Sequence, residues 1–267
     1  MQKTSGKTAD FKNIVERKLK TSGNVSLIKI CPINTNSTAR RIFSEYGAIF
    51  VAATGRKFYG KCIFDNEIEV QAFQTNLKIK AADFNGTTIE LQEPAMNALL
   101  EAQKEAAEMS LQITPRGGSL AGRRSFQDTV DLWNSRFYPA LDYWVRLGKI
   151  PFLEAETVKA AKISEQVAKV LEWESKGFYF SSDLSKSILF SVAAPGASQH
   201  IFMLALDVEQ YDDLRVRNIL AKHGWFQTVK SDLPHFTYLG VKEEELPSLG
   251  LKAVLINSHK FWIPAMY

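Results

Sequence analysis

The pattern of apolar and polar positions changes character twice along the chain. Residues 1–24 are polar, carry several lysines and read as a flexible arm. Val25, Leu27, Ile28 and Ile30 then make a short apolar run, ended by Pro32, that predicts a strand. A second strand is predicted over 49–53 from small and β-branched residues. Between the two, a helix is predicted over 38–46, capped by Asn36 or Ser37 and closed by Gly47 in a left-handed conformation. Another helix begins at Asp65 and turns Ile68, Val70, Phe73 and Leu77 towards a core. Residues 88–91 predict a strand, and Pro94 suits the first turn of a helix reaching about Met109. Strands alternating with helices over 25–112 point to a small α/β domain.

Thr114-Pro115-Arg116-Gly117-Gly118-Ser119 is the clearest interruption, and a domain boundary is expected just before it. In the following segment, 113–267, Trp133, Phe137, Ala140, Leu141 and Trp144 recur at helical spacing, while Pro139 is expected to kink or split that helix. Val158, Ala161, Ile163, Val167 and Val170 mark the apolar side of a helix over 154–174. From Gly177 onwards the texture becomes short strands, predicted over 178–180, 188–192, 204–208, 225–229 and 236–239, with one helix over 214–223. The expected class is therefore α+β: a C-terminal domain with strands gathered late, preceded by the smaller α/β domain.

The composition narrows what such a chain can do. Its 267 residues are 45% hydrophobic, enough for a substantial core and unlike a disordered or collagen-like protein. No stretch reaches the ~18 apolar residues of a membrane span. A net charge of +4 is too small to indicate a nucleic-acid partner. The first residues lack the apolar segment of a signal peptide, so the chain is either cytoplasmic or an exported, periplasmic or cell-wall protein whose signal has been trimmed. The two cysteines, Cys31 and Cys62, exclude a disulfide scaffold or a cysteine-based zinc cluster; they read as two buried free thiols, with pairing open in an oxidising compartment. Four histidines make the search for a metal site short.

His200 follows a Pro195-Gly196 turn and precedes the strand over 204–208. There Leu204, Leu206 and Val208 share one face, while Ala205 and Asp207 share the other. His200 and Asp207 are an odd number of positions apart, so they converge only if the chain bends between them. Downstream, Pro234 restricts the backbone around Asp232 and His235. Two histidines and an aspartate would give zinc three ligands and leave a fourth position for water, whose proton Asp232 could take. The plainer reading makes the same residues turn and cap partners. His223 at a helix end reads as structural, and His259 has no partner at a telling spacing.

Ser198-x-His200 with Asp207, followed by Asp232-x-x-His235, resembles the zinc-binding pattern of the VanY-type D-alanyl-D-alanine carboxypeptidases. Ala205 matches an alanine of that pattern, Met203 stands where many members have glycine, and Arg124-Ser125-Phe126-Gln127 is similar to the family's Arg-Ser-x-x-Gln segment. The resemblance covers roughly 115–240 and implies an α+β fold with a central antiparallel sheet and zinc held by His200, Asp207 and His235. It implies Asp232 as the catalytic carboxylate, which is glutamate in many relatives. Arg124 would stabilise the tetrahedral intermediate or hold the substrate, and Ser198 and Gln127 would support the pocket. The implied reaction is zinc-dependent hydrolysis of a D-alanyl amide bond in peptidoglycan peptides. An endopeptidase that cuts cross-links, and a non-catalytic zinc-braced protein that binds cell-wall peptides, are the alternatives. Residues 1–110 lie outside the resemblance.

Overall fold

The computed structural model describes residues 10–23, 25–53, 60–230 and 232–266. Nine helices and seven strands are found among them, in an α+β arrangement. Residues 1–9 of the expected arm, and Asn24, lie outside the described residues. The rest of it is not an arm: Phe11–Gly23 is helix α1, and Phe11, Val15 and Leu19 are buried at the four-residue spacing of one helix face. The strand expected over 25–30 is a single helical turn, α2 (Leu27–Ile30), whose first N–H donates to the Glu16 carboxylate. An apolar run of that length does not distinguish strand from helix.

Helix α3 (Ser37–Tyr46) is capped by Asn36, which accepts a hydrogen bond from the Ala39 N–H. Gly47 does not take the left-handed conformation expected of it; its φ is −68° and the chain passes directly into a buried 3-10 turn over Gly47–Val51, where a strand was expected. The glycine is needed for room instead, since a Cβ there would stand 3.2 Å from the Phe11 ring. Helix α4 (Glu67–Thr75) buries Val70 but leaves Ile68 79% exposed, which corrects its expected place in the core. Strands β1 (Ile79–Phe84) and β2 (Thr87–Gln92) form an antiparallel hairpin about Asn85 and Gly86, both at positive φ. Helix α5 (Glu93–Glu108) follows with Pro94 in its first turn.

Helix α6 (Phe126–Arg146) opens on a reciprocal cap between Ser125 and Asp128 and runs through Pro139 without splitting. Phe137, Ala140 and Leu141 on either side of the proline are buried in one cluster, and their burial outweighs the ~3 kcal/mol that an interior proline costs a helix. The single helix expected over 154–174 is two, α7 (Phe152–Ala160) and α8 (Ile163–Ser175), broken where Ala161 and Lys162 become extended. The segments 178–180 and 188–192 are not strands. Glu174 accepts N–H bonds from Phe180 and Ile188 there, and residues Ile188–Phe190 make a 3-10 turn.

The central sheet has three antiparallel strands in the order β3 (Ala205–Asp207), β5 (His235–Tyr238), β4 (Trp225–Phe226), with α9 (Leu214–Lys222) between β3 and β4 in the chain. A hairpin of β6 (Leu251–Ile256) and β7 (His259–Pro264) ends the chain, turning on Asn257 and Ser258. The main buried cluster draws on α1, the β1–β2 hairpin and α5 together with β3, β4 and β5, so residues on both sides of position 113 share one core. Cys31 and Cys62 form a disulfide and are not the free thiols expected.

Candidate metal centre

Register in the central sheet sets the first half of the site. Asp207 on β3 stands directly opposite His235 on β5, and opposed residues of an antiparallel pair share a face. The bend needed to bring in His200 is a 3-10 turn over Gln199–Phe202 that ends at Met203 with φ +55°. That left-handed conformation favours glycine. Met203 is fully buried, which offsets the strain.

The three side chains converge. His200 Nε2 and His235 Nδ1 are 3.1 Å apart and lie 3.4 and 3.3 Å from Asp207 Oδ1. Their outer atoms are all engaged. His200 Nδ1 donates to the Gly122 carbonyl over 2.8 Å, so its Nε2 carries the lone pair. The Gln199 amide nitrogen donates to the Tyr46 carbonyl, which turns its oxygen towards His235 Nε2 at 2.9 Å. His235 therefore donates from Nε2 and presents the Nδ1 lone pair. Arg124 Nη2 donates to Asp207 Oδ2 over 2.6 Å, leaving Oδ1 to face the imidazoles. Three acceptor atoms thus point at one another with no hydrogen among them, an arrangement suited to a cation. Zinc ligands about 2.0–2.2 Å from their ion stand about 3.3–3.6 Å from one another in a tetrahedron, close to the spacing observed. This buried group of His200, Asp207 and His235 can hold a metal ion.

Electrostatics agree with that geometry. Burial lowers the His200 pKa to about 4, with the Arg124 charge adding to the effect. Burial opposes ionisation of Asp207, but His200, His235 and Arg124 together hold its carboxyl well below the usual range. Asp232 lines the same cleft, and burial raises its carboxyl to about 6. The cleft has a volume of about 140 Å³, and its walls include Thr129, Leu132 and Arg136 of α6 and the segment 191–193.

Five of the residues singled out in the sequence (His200, Asp207, His235, Asp232 and Arg124) meet at this cleft, and Ser198 lines it too while its hydroxyl accepts from the His200 N–H. Gln127 is not brought in; its side chain is exposed on α6 and donates to Asp131. Sequence reasoning missed Gln199, an amide that carries no metal-binding signal of its own. It also missed Gly122, whose only role at the site is a backbone carbonyl and so leaves no residue-type signal. Gln74 was missed as well: it is buried on α4 and donates to the carbonyls of both Arg124 and Ile201, tying the Arg124 loop to the His200 turn. His223 pairs with Glu105 of α5, and His259 is buried against Arg217 and Asp212; neither reaches the cleft. No helix among the described residues is long and apolar enough to cross a membrane. No protein-family model and no curated protein matches the chain.

Proposed function

We propose that this protein is a zinc-dependent peptidase that hydrolyses an amide bond next to D-alanine in peptidoglycan peptides, acting as a carboxypeptidase. The observation that carries the reading is the convergence of two imidazole lone pairs and one carboxylate oxygen, each fixed from behind, with Asp232 on the wall of the same cleft. A nitrogen- and carboxylate-donor set with three protein ligands is that of catalytic zinc. Zinc held there supplies Lewis acidity, which polarises a carbonyl and acidifies a nucleophilic water.

The chain's own residues supply the rest. Asp232 accepts the proton of the attacking water at its carboxylate and returns it to the leaving amine. Burial raises its pKa, which makes the carboxylate a stronger base. Arg124 holds Asp207 Oδ2 by a charge-assisted bond and leaves Oδ1 facing the two imidazoles, where it would serve as a ligand. A cleft of about 140 Å³ is small against the ~300–1,000 Å³ of pockets for drug-sized ligands, and suits a residue with a methyl side chain. The Cys31–Cys62 disulfide favours an oxidising compartment, where peptidoglycan is found.

Metal analysis and peptide hydrolysis measured together test this. The purified protein is expected to hold one equivalent of zinc and to cleave an acyl-D-alanyl-D-alanine peptide in a chelator-sensitive manner. Asp232→Ala should retain the metal and lose about 10²–10⁴-fold in turnover, the range for a positioned acid–base group. His235→Ala should lose most of the metal. A wild-type protein that binds zinc without cleaving leaves the zinc-braced binding protein as the reading; unchanged turnover in Asp232→Ala removes that residue from the mechanism.

A further inference from the structure

Two arginines reach the cleft, and they differ in what they hold. Arg124 is spent on Asp207 Oδ2 and the Leu120 carbonyl. Arg136, on the α6 wall, donates to the hydroxyls of Ser191 and Ser135. Among the described residues no carboxylate lies within ion-pair distance of it. A half-buried guanidinium beside neutral hydroxyls alone keeps an uncompensated positive charge and retains N–H donors in a planar fork. Such a fork matches a carboxylate bidentately.

Position gives that charge a use. Thr129, Leu132 and Arg136 follow at helical spacing along the wall of α6 that faces the cleft, in the same small cavity that His200, Asp207, His235 and Asp232 line. The serine hydroxyls steer the Arg136 side chain without neutralising it. We propose that Arg136 binds the terminal carboxylate of the departing D-alanine, and so makes the site selective for a free C-terminus over a cross-linked or amidated one. The inference rests on the peptidase reading for the identity of its ligand. It assigns carboxylate recognition to Arg136 and leaves Arg124 as the residue that positions Asp207.

The test is binding of N-acetyl-D-alanine and of its methylamide to the zinc-loaded full chain, followed by NMR titration, beside hydrolysis of acyl-D-alanyl-D-alanine and of its C-terminal amide. Wild type should bind the acid at least about tenfold more tightly than the amide. Arg136→Ala should lose that preference with zinc content unchanged, and Arg136→Lys should recover part of it, because the charge returns without the fork. In hydrolysis, Arg136→Ala should raise KM for the free acid by tenfold or more, with a smaller effect on kcat and little effect on the amide. Equal binding of acid and amide by wild type, an unaltered preference in Arg136→Ala, or no binding of either probe overturns the assignment. The two readings fail separately. Selective binding that depends on Arg136, without hydrolysis, sinks the peptidase and keeps the carboxylate site; hydrolysis indifferent to the terminus and to Arg136 does the reverse.

Discussion

Gln199 shows how much of a candidate metal site is decided behind the side chains that could hold the ion. Its oxygen accepts from His235 Nε2 and from the Thr237 hydroxyl, and its nitrogen is held by the Tyr46 carbonyl. The side chain is buried, so its amide has a single orientation that satisfies every neighbour. Replacing it by alanine leaves His235 free to rotate and to take the other tautomer. Gln199→Ala is expected to weaken zinc binding by about 10–100-fold in a chelator competition, with the far-UV spectrum unchanged. An affinity within twofold of wild type would show that the imidazole is held by packing alone. Asp232 and Arg136 belong to the same scale: each is a single side chain whose value lies in the cleft it faces.

Among the elements, helix α8 is joined to the cleft wall through Glu174. Its carboxylate accepts from the N–H groups of Phe180 and Ile188 and from the Ser187 hydroxyl, just ahead of the 191–193 segment that lines the cleft. Burial raises its pKa despite these donors. A carboxyl raised in the folded state contributes stability that is fully present below its unfolded pKa and is lost as pH rises through the folded value. Glutamine can keep all three bonds, since the Ser187 hydroxyl can accept where it now donates. Glu174→Gln should therefore match wild type in melting temperature near pH 4 and become the more stable protein towards pH 8. A gap that stays constant across that range would contradict the account. The β1–β2 hairpin acts at this scale too. Gln92 at its end donates to the Phe202 and Met203 carbonyls, bracing the turn that carries His200.

Across the whole molecule, the described residues ahead of position 113 are part of the site's support. Gln74 and Gln92 bind backbone carbonyls next to the catalytic candidates, Tyr46 anchors Gln199, and the apolar cluster runs from Phe11 to Trp262. The Cys31–Cys62 disulfide closes a loop within this part. Purified without reductant, the protein should show no free thiol in a thiol assay. Cys31→Ser/Cys62→Ser should lower stability by about 2–4 kcal/mol in denaturant melts, since the unfolded chain regains the entropy of that loop. Two titratable thiols in the native protein would overturn the pairing.

Long periodic segments and residue chemistry were legible along the chain. The period of Trp133, Phe137, Ala140 and Leu141 predicts α6, Pro94 places α5, and the histidine and aspartate spacings select the metal-binding candidates. The Asn85-Gly86 pair carries a hairpin signal, and Asn257-Ser258 a weaker one. Short apolar runs at 25–30, 49–53 and 188–192 predict strands yet contain helical or 3-10 turns, because a few apolar residues fit either period. Along the chain, residue types alone mark the side chains able to bind a metal ion or carry a proton, whereas Arg136 stands out only through its place on the cleft wall. That these groups meet is settled by the fold. The β3–β5 register, the left-handed turn at Met203, the Gly122 carbonyl and the pairing of the two cysteines depend on contacts between distant segments, which no local pattern encodes.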